Sequence, residues 1–131
     1  MINRNEMIKN FFIDNKFKFC NLTDKLVSMN LSEIQEKEIF PGLKGKFVHG
    51  ENISWAFWEV KKGAKVDLHK HPHEQIMHVV EGKFEFTLNN KTKVYGNGDV
   101  VVIPSNIEHS GYALTDCKLM DVFSPAREEY R

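Results

Sequence analysis

Apolar and polar residues alternate in short segments from about residue 33 to the end of the chain. In the segment 84–88, apolar residues are separated by Glu85 and Thr87, which is typical of a strand with one buried face. Asn89 and Asn90 follow at once and predict a hairpin turn. The alternation predicts strands over residues 34–40, 45–49, 53–60, 75–80, 84–88, 91–95, 100–103, 112–114 and 118–123. Short strands at roughly 8–12-residue spacing are typical of an all-β sandwich or barrel.

The first forty residues do not follow this pattern. They contain neither glycine nor proline, whereas all eight glycines lie between Gly42 and Gly111. Apolar residues at helical spacing indicate a short amphipathic helix near residues 4–13. We therefore predict an N-terminal extension over residues 1–32 and a single barrel domain over residues 33–131.

The composition is ordinary for a soluble domain, with 41% hydrophobic and 27% charged residues. The 18 lysine and arginine side chains balance 18 aspartate and glutamate side chains, so the formal net charge is zero. Nucleic-acid binders and membrane-surface binders need a basic field, so we expect neither nucleic acid nor a membrane as partner. A net charge of zero also leaves little repulsion between copies, which favours self-association.

The two cysteines, Cys20 and Cys117, form no CxxC motif, and we expect free thiols in a reducing cytosol. No segment approaches the ~20 consecutive apolar residues that span a membrane. The longest apolar run near the N-terminus, residues 11–13, is too short for a secretory signal. We therefore expect the protein to be cytoplasmic.

Histidines are concentrated in the middle of the chain, where four of the six fall within residues 69–78. His69 and His71 are two residues apart, and on an extended strand such residues point to the same face. Gln75 can return to that face, and His109 follows after a separate strand. Three or four such ligands that converge can hold one metal ion. The alternative is a surface histidine stretch without a defined site.

Other residues of the same types favour structural roles. His49 is a lone histidine at a strand end, His73 should lie off the metal face, and His78 should point outward because it alternates with Met77. Several aromatic and apolar residues are expected to line the barrel: Trp55, Phe57, Met77, Phe84 and Phe86.

The end of the chain holds a second group of candidates. Asp121 and Phe123 alternate with Leu119 on one face of the last strand, a face that could look into the barrel. A carboxylate inside an apolar barrel near a metal is a candidate general acid or base. Arg127 is one of three arginines against fifteen lysines, and its fork suits a substrate carboxylate. The alternatives are a backbone-bonded Asp121, a core Phe123 and an Arg127 in a structural ion pair.

The spacing of these residues resembles the two sequence motifs of the cupin family. The first motif is Gly63-(x5)-His69-Lys70-His71-(x3)-Gln75-(x6)-Gly82, and the second is Gly98-(x5)-Pro104-Ser105-Asn106-(x2)-His109. The resemblance implies a double-stranded β-helix, which is a jelly-roll barrel. It also implies a homodimer, because cupins of this length usually pair. The chain departs from the family pattern at three positions, where Gln75, Asn106 and Ala113 replace the usual Glu, Gly and Asn.

Three stretches look like the small single-domain cupins of uronate breakdown, the KdgF type. They are residues 69–76, 80–86 and the ending 121–128, which contains Asp-x-Phe-Ser-Pro-x-Arg. The resemblance implies that one divalent ion, Zn, Ni, Fe or Mn, is held by His69, His71, Gln75 and His109. It also implies that Asp121, Phe123 and Arg127 line the pocket. Members of this family open 4,5-unsaturated monouronates from pectin and alginate into linear keto acids.

The neutral Gln75 has a consequence for the substrate. Three histidines and a glutamine add no negative charge, so the bound ion keeps more Lewis acidity and favours anionic oxygens. That favours an acidic sugar as substrate. Two alternatives remain open, namely an iron-dependent dioxygenase acting on a small molecule and a non-enzymatic metabolite-binding cupin.

Overall fold

The computed structural model describes residues 27–131, so the helix predicted near residues 4–13 lies outside the described residues. Contacts group Leu31–Arg131 into one compact unit. Its ten strands are β1 (Lys37–Phe40), β2 (Leu43–His49), β3 (Ser54–Val60), β4 (Lys65–His69), β5 (Glu74–Glu81), β6 (Phe84–Leu88), β7 (Lys91–Tyr95), β8 (Val100–Ile103), β9 (His109–Ala113) and β10 (Cys117–Ser124). Short 3-10 turns cover Leu31–Glu33 and Glu128–Tyr130. Within the described range, no helix is long and apolar enough to cross a membrane.

The strands form two antiparallel sheets that face each other. The six-stranded sheet has the order β1-β2-β3-β10-β5-β8, and the four-stranded sheet has the order β4-β9-β6-β7. Strands distant in sequence are neighbours in both sheets, as in β3-β10 and β4-β9. This arrangement confirms the predicted all-β jelly roll.

The core lies between the two sheets, because alternate residues of each strand point inward. The six-stranded sheet contributes Val79 and Ile103, both fully buried. The four-stranded sheet contributes Phe84 and Phe86. Gly111 on β9 must lack a side chain, because an added Cβ would lie 2.4 Å from the Phe84 ring.

Several predicted boundaries are wrong. The segment predicted from residue 34 becomes a strand only at Lys37, and the strand predicted over 112–114 is His109–Ala113. Strand β4 was not predicted. It is an edge strand whose side chains are mostly exposed, and its alternation of Val66 and Leu68 with polar residues covers only five residues.

The expectation that Trp55 and Phe57 line the barrel is also wrong. Inward positions of β3 are occupied by Ala56 and Trp58, so residues 55 and 57 belong to the outer face. Trp55 is 44% exposed, and its ring contacts that of Phe57 at a centroid distance of 4.7 Å. His78 is half-buried on the same outer face, as expected.

Candidate metal centre and adjoining pocket

Three histidines meet at one end of the barrel. His69 is the last residue of β4 and His109 the first of β9, and the antiparallel register pairs them directly. Their ring centroids are 4.3 Å apart, and the ring of His71 lies 4.9 Å from that of His109. The potential ligand atoms of all three lie within 4.8 Å of one another, close enough to hold one metal ion.

A turn, rather than a continuous strand, brings His71 and Gln75 to this point. Strand β4 ends at His69, and the chain turns before β5 begins at Glu74. The turn is held by the Asn106 amide, which donates to the His71 carbonyl at 2.8 Å. The expectation of one extended face over residues 69–75 is therefore wrong. Gln75 is nonetheless buried on the inner face of β5, while Glu74 is exposed.

The backbone fixes the tautomer of each imidazole. The Nδ1 atoms of His69, His71 and His109 lie at 2.8, 3.0 and 2.8 Å from the carbonyl oxygens of Asp67, His73 and Ile107. A carbonyl only accepts, so each Nδ1 carries the hydrogen and each Nε2 keeps its lone pair. Metal-binding histidines are oriented in this way, by a hydrogen bond from the ring nitrogen that does not bind the metal.

Burial favours the neutral form of His71 and of His109. It lowers the pKa of His71 to about 4, with further lowering by the positive charge of Arg127. Burial also lowers the pKa of His109. Gln75 Oε1 lies 3.2 Å from His71 Nε2, so two atoms with lone pairs face each other. A bound cation would relieve that repulsion, and the donor set therefore fits a divalent transition metal.

A buried carboxylate lines the same cavity as the imidazoles. Asp121 is 7% exposed at the middle of β10, and its Oδ2 accepts a hydrogen bond from Trp58 Nε1 at 2.8 Å. Its Oδ1 is buried and has no hydrogen-bond partner in the described part of the chain. Burial raises the pKa of Asp121 to about 6. The polar side chains of Gln75 and Trp58 and the positive charge of Arg127 act in the other direction and lower this pKa.

Arg127 also lines this cavity. Its guanidinium lies over the Phe123 ring at 4.9 Å and over the Tyr130 ring at 4.7 Å. Nε donates to Glu129 at 2.5 Å, and Nη2 donates weakly to Tyr130 Oη at 3.4 Å. The ion pair with Glu129 thus uses one edge of the guanidinium, which leaves N–H groups for a ligand. All the site residues predicted from the sequence line this one cavity: His69, His71, Gln75, His109, Asp121, Phe123 and Arg127.

Two further residues of the cavity contact the predicted site residues but were not themselves predicted from the sequence. Trp58 supplies the hydrogen bond to Asp121, and Tyr130 packs against Arg127. The alternation in β3 places Trp58 on the same face as Ala56, but its hydrogen-bond partner, Asp121, is 63 positions away in the sequence. Tyr130 stands in a short polar ending where no periodic signal exists.

Residues 56–123, more than half of the chain, match the family described as the cupin domain. The chain belongs to the cupin family. This cupin is 30% identical to an RmlC-like cupin from Shewanella frigidimarina, over 82% of this chain and 96% of that one, with a TM-score of 0.76. It is 28% identical to KdgF from a Halomonas species, over 82% of this chain and all of that one, with a TM-score of 0.77.

A further relative has no described activity. An uncharacterised protein from Streptomyces coelicolor is 24% identical over 75% of this cupin and 95% of its own length. The structural similarity to KdgF agrees with the resemblance carried by the residues around the cavity.

Proposed function

We propose that this cupin is a metal-dependent enzyme that opens 4,5-unsaturated monouronates into linear keto acids. The observation that carries the proposal is the convergence of three imidazole Nε2 atoms beside a buried carboxylate and a stacked guanidinium, all in one cavity. The similarity to KdgF supports the same activity.

The proposed metal ligands are the Nε2 atoms of His69, His71 and His109, with Gln75 Oε1 as the fourth. The ion is Zn, Ni, Fe or Mn, all of which accept imidazole nitrogen. When bound, it supplies Lewis acidity that stabilises negative charge on a substrate oxygen. The neutral ligand set leaves that acidity undiminished for an anionic sugar.

Arg127 and Phe123 hold the substrate. The guanidinium is buried, held against two aromatic rings and positively charged, which suits a uronate carboxylate. Phe123 is buried at the polar end of the cavity and offers a flat apolar surface to the sugar ring. Binding in one orientation brings the reacting atoms towards Asp121.

Asp121 carries the proton. In ring opening, the anomeric hydroxyl loses its proton, a C1–O double bond forms and the bond from C1 to the ring oxygen breaks. The released enol becomes a ketone when a proton is added at C4, so the net change is an isomerisation that needs no oxidant. Asp121 has one oxygen tied to Trp58 and one without a partner among the described residues, so the second is available to transfer this proton.

The activity is tested with purified 4,5-unsaturated galacturonate and the unsaturated monomer released from alginate. We expect the metal-loaded protein to accelerate the loss of the ultraviolet band of the conjugated enol ether above the protein-free rate. A chelated sample and the Asp121→Asn variant serve as controls. No acceleration with either monomer would remove this function. Oxygen uptake by the iron-loaded protein would point to a dioxygenase, and binding without turnover to a metabolite-binding module.

We also propose that the protein is a homodimer. The zero net charge and the exposed edge strands β7 and β8 support self-association. Light scattering at micromolar concentration should give twice the chain mass of 15.2 kDa. A monomeric mass would contradict the proposal.

A further inference from the structure

The residues that follow β10 are tied to the ends of β2 and β3. We call residues 126–131 the C-terminal strap. The Arg127 amide lies 2.8 Å from Ser54 Oγ, and the Tyr130 carbonyl lies 3.2 Å from His49 Nε2. Arg131 adds a third tie, because its Nη2 donates to the Gly50 carbonyl at 2.8 Å. The strap is thus held at three points along six residues.

The direction of each hydrogen bond in this group follows from its partners. The Tyr130 carbonyl can only accept, so His49 Nε2 carries a hydrogen and donates it. The Arg127 amide donates to Ser54 Oγ, whose own hydrogen is then directed to His49 Nδ1, 2.8 Å away. The result is a continuous relay from the strap through Ser54 and His49 and back to the strap.

The relay is centred on a buried residue and packs beside a ring stack. Ser54 is fully buried, and it faces His49 as its register partner across the β2–β3 pair. Phe47, two residues before His49, stacks on the Tyr130 ring at 4.7 Å. A buried hydroxyl is costly unless it is fully bonded, so the relay specifies one position of the strap backbone.

The strap carries two groups into the cavity. Arg127 and Tyr130 both line it, and the guanidinium is stacked on the Tyr130 ring. Any shift of the strap therefore moves the guanidinium relative to the imidazoles, which are fixed on β4, on β9 and in the turn before β5. A small displacement of a charged binding group is enough to weaken recognition.

We propose that Ser54 and His49 are positioning residues, which fix the strap so that Arg127 presents its guanidinium to an acidic ligand. The proposal rests on the proposed function for the identity of the ligand, but not for the strap's attachment. It assigns a role to His49, which the sequence left as a lone strand-end histidine.

Three variants test the relay. Ser54→Ala removes its centre, His49→Phe removes both imidazole bonds while keeping a flat ring, and His49→Gln restores a donor near the Nε2 position. His78→Phe is the matched control, because His78 is half-buried on the outer face of the same sheet. Melting temperature and metal content are recorded for every variant.

Two measurements do not depend on turnover. The Arg127 and Tyr130 amides are followed by hydrogen exchange, and the Arg127 Nε–H signal by NMR, because the stacked rings shift it. In Ser54→Ala and His49→Phe we expect about tenfold faster exchange at the Arg127 amide and loss of the ring-current shift, while β10 amides stay protected. His49→Gln should recover part of both.

The kinetic measurement uses the unsaturated galacturonate, with saturated galacturonate as a binding probe. We expect KM and the probe's Kd to rise about tenfold in Ser54→Ala and His49→Phe, with kcat within about twofold of the wild type. Metal content should not change. The control variant should match the wild type throughout.

Two results would overturn the proposal. One is unchanged exchange and an unchanged Arg127 signal in folded Ser54→Ala and His49→Phe proteins. The other is equal loss of kcat and metal content in those variants, which would indicate general disruption of the barrel. A wild-type protein that turns over no uronate would remove the proposed function alone, since the exchange and NMR measurements would still decide the positioning role.

Discussion

The two ends of the barrel's inner face differ sharply in chemistry although the same strands build both. On β5 and β10, Val79 lies opposite Leu119 at one end, and Gln75 lies opposite Phe123 at the other. The distance from Leu119 to Phe123 along the strand is only about 13 Å. One end is an apolar core, while the other holds imidazoles, an amide, a carboxylate and a guanidinium.

The difference between the two ends indicates that stability and chemistry depend on different residues. Burying polar groups costs free energy unless they are paired. A cluster of buried polar and ionisable groups at one end of the barrel therefore indicates a functional site rather than a contribution to stability. The apolar end should therefore govern unfolding, and the polar end should govern metal binding and turnover. Substitutions at the two ends should produce different losses.

The largest effect is expected at the imidazoles. Replacing both His69 and His71 with alanine leaves one histidine, which cannot hold a divalent ion without the other nitrogen ligands. Elemental analysis after extensive dialysis should find no metal in the double variant and one ion per chain in the wild type. His78→Ala is the control. Full metal occupancy in the double variant would show that the ligands lie elsewhere.

The next largest effect is expected at Asp121. Asp121→Asn keeps the shape of the side chain and an oxygen for the Trp58 N–H, but it removes the ionisable oxygen. Turnover of the unsaturated uronate should fall by roughly 10²–10⁴, as it does when a general acid or base is lost. Metal content should be unchanged. A folded variant with wild-type turnover would end the proton-transfer role.

Leu119→Ala tests the apolar end of the same strand. The side chain is 4% exposed within the core, and its truncation should lower the free energy of unfolding by about 2–4 kcal/mol. Urea denaturation measures this loss. Leu119 also lines the inner part of the cavity, so metal content is the readout that separates the two ends, and it should stay at the wild-type value. A loss of metal in folded Leu119→Ala would mean that the two ends are coupled.

A smaller effect is expected at Arg127. Arg127→Ala should raise KM by about 10–100-fold, because ground-state binding of the carboxylate is lost. Arg127→Lys should recover only part, since an ammonium cannot reproduce the fork. Steady-state kinetics beside melting temperature separates this role from a structural one. Unchanged KM in a destabilised but folded Arg127→Ala protein would favour the structural ion pair.

The smallest effect is expected outside the barrel, at Trp55. Trp55 and Trp58 lie on the same strand but on opposite faces, and only Trp58 bonds to Asp121. Trp55→Phe should change the free energy of unfolding by less than about 0.5 kcal/mol and leave turnover unchanged. Trp58→Phe should lower both. Equal effects of the two substitutions in urea denaturation and kinetics would remove the distinction between the faces.

The sequence predicted the barrel and the residues of the cavity because both signals are local. Strand alternation is readable over five to eight residues, and His69, His71 and Gln75 lie within one short stretch. The contacts around them are not local. The Trp58–Asp121 bond joins residues 63 positions apart, and the His49–Tyr130 bond joins residues 81 positions apart. Such pairs form only when particular strands become neighbours in a sheet. The pattern of apolar residues within one strand does not show which strands will pair.

The pairing of His69 with His109 has a consequence for the edge of the four-stranded sheet. Strand β4 is an edge strand with an irregular register to β9, and none of its side chains is buried. An ion shared by the two histidines would clamp the last residue of β4 to the first of β9. Ion binding would then add stability that depends on concentration, about 2.7 kcal/mol at a hundredfold excess over Kd. Fraying of β4 and release of the ion would be one event, so metal depletion should appear first as faster amide exchange at this edge.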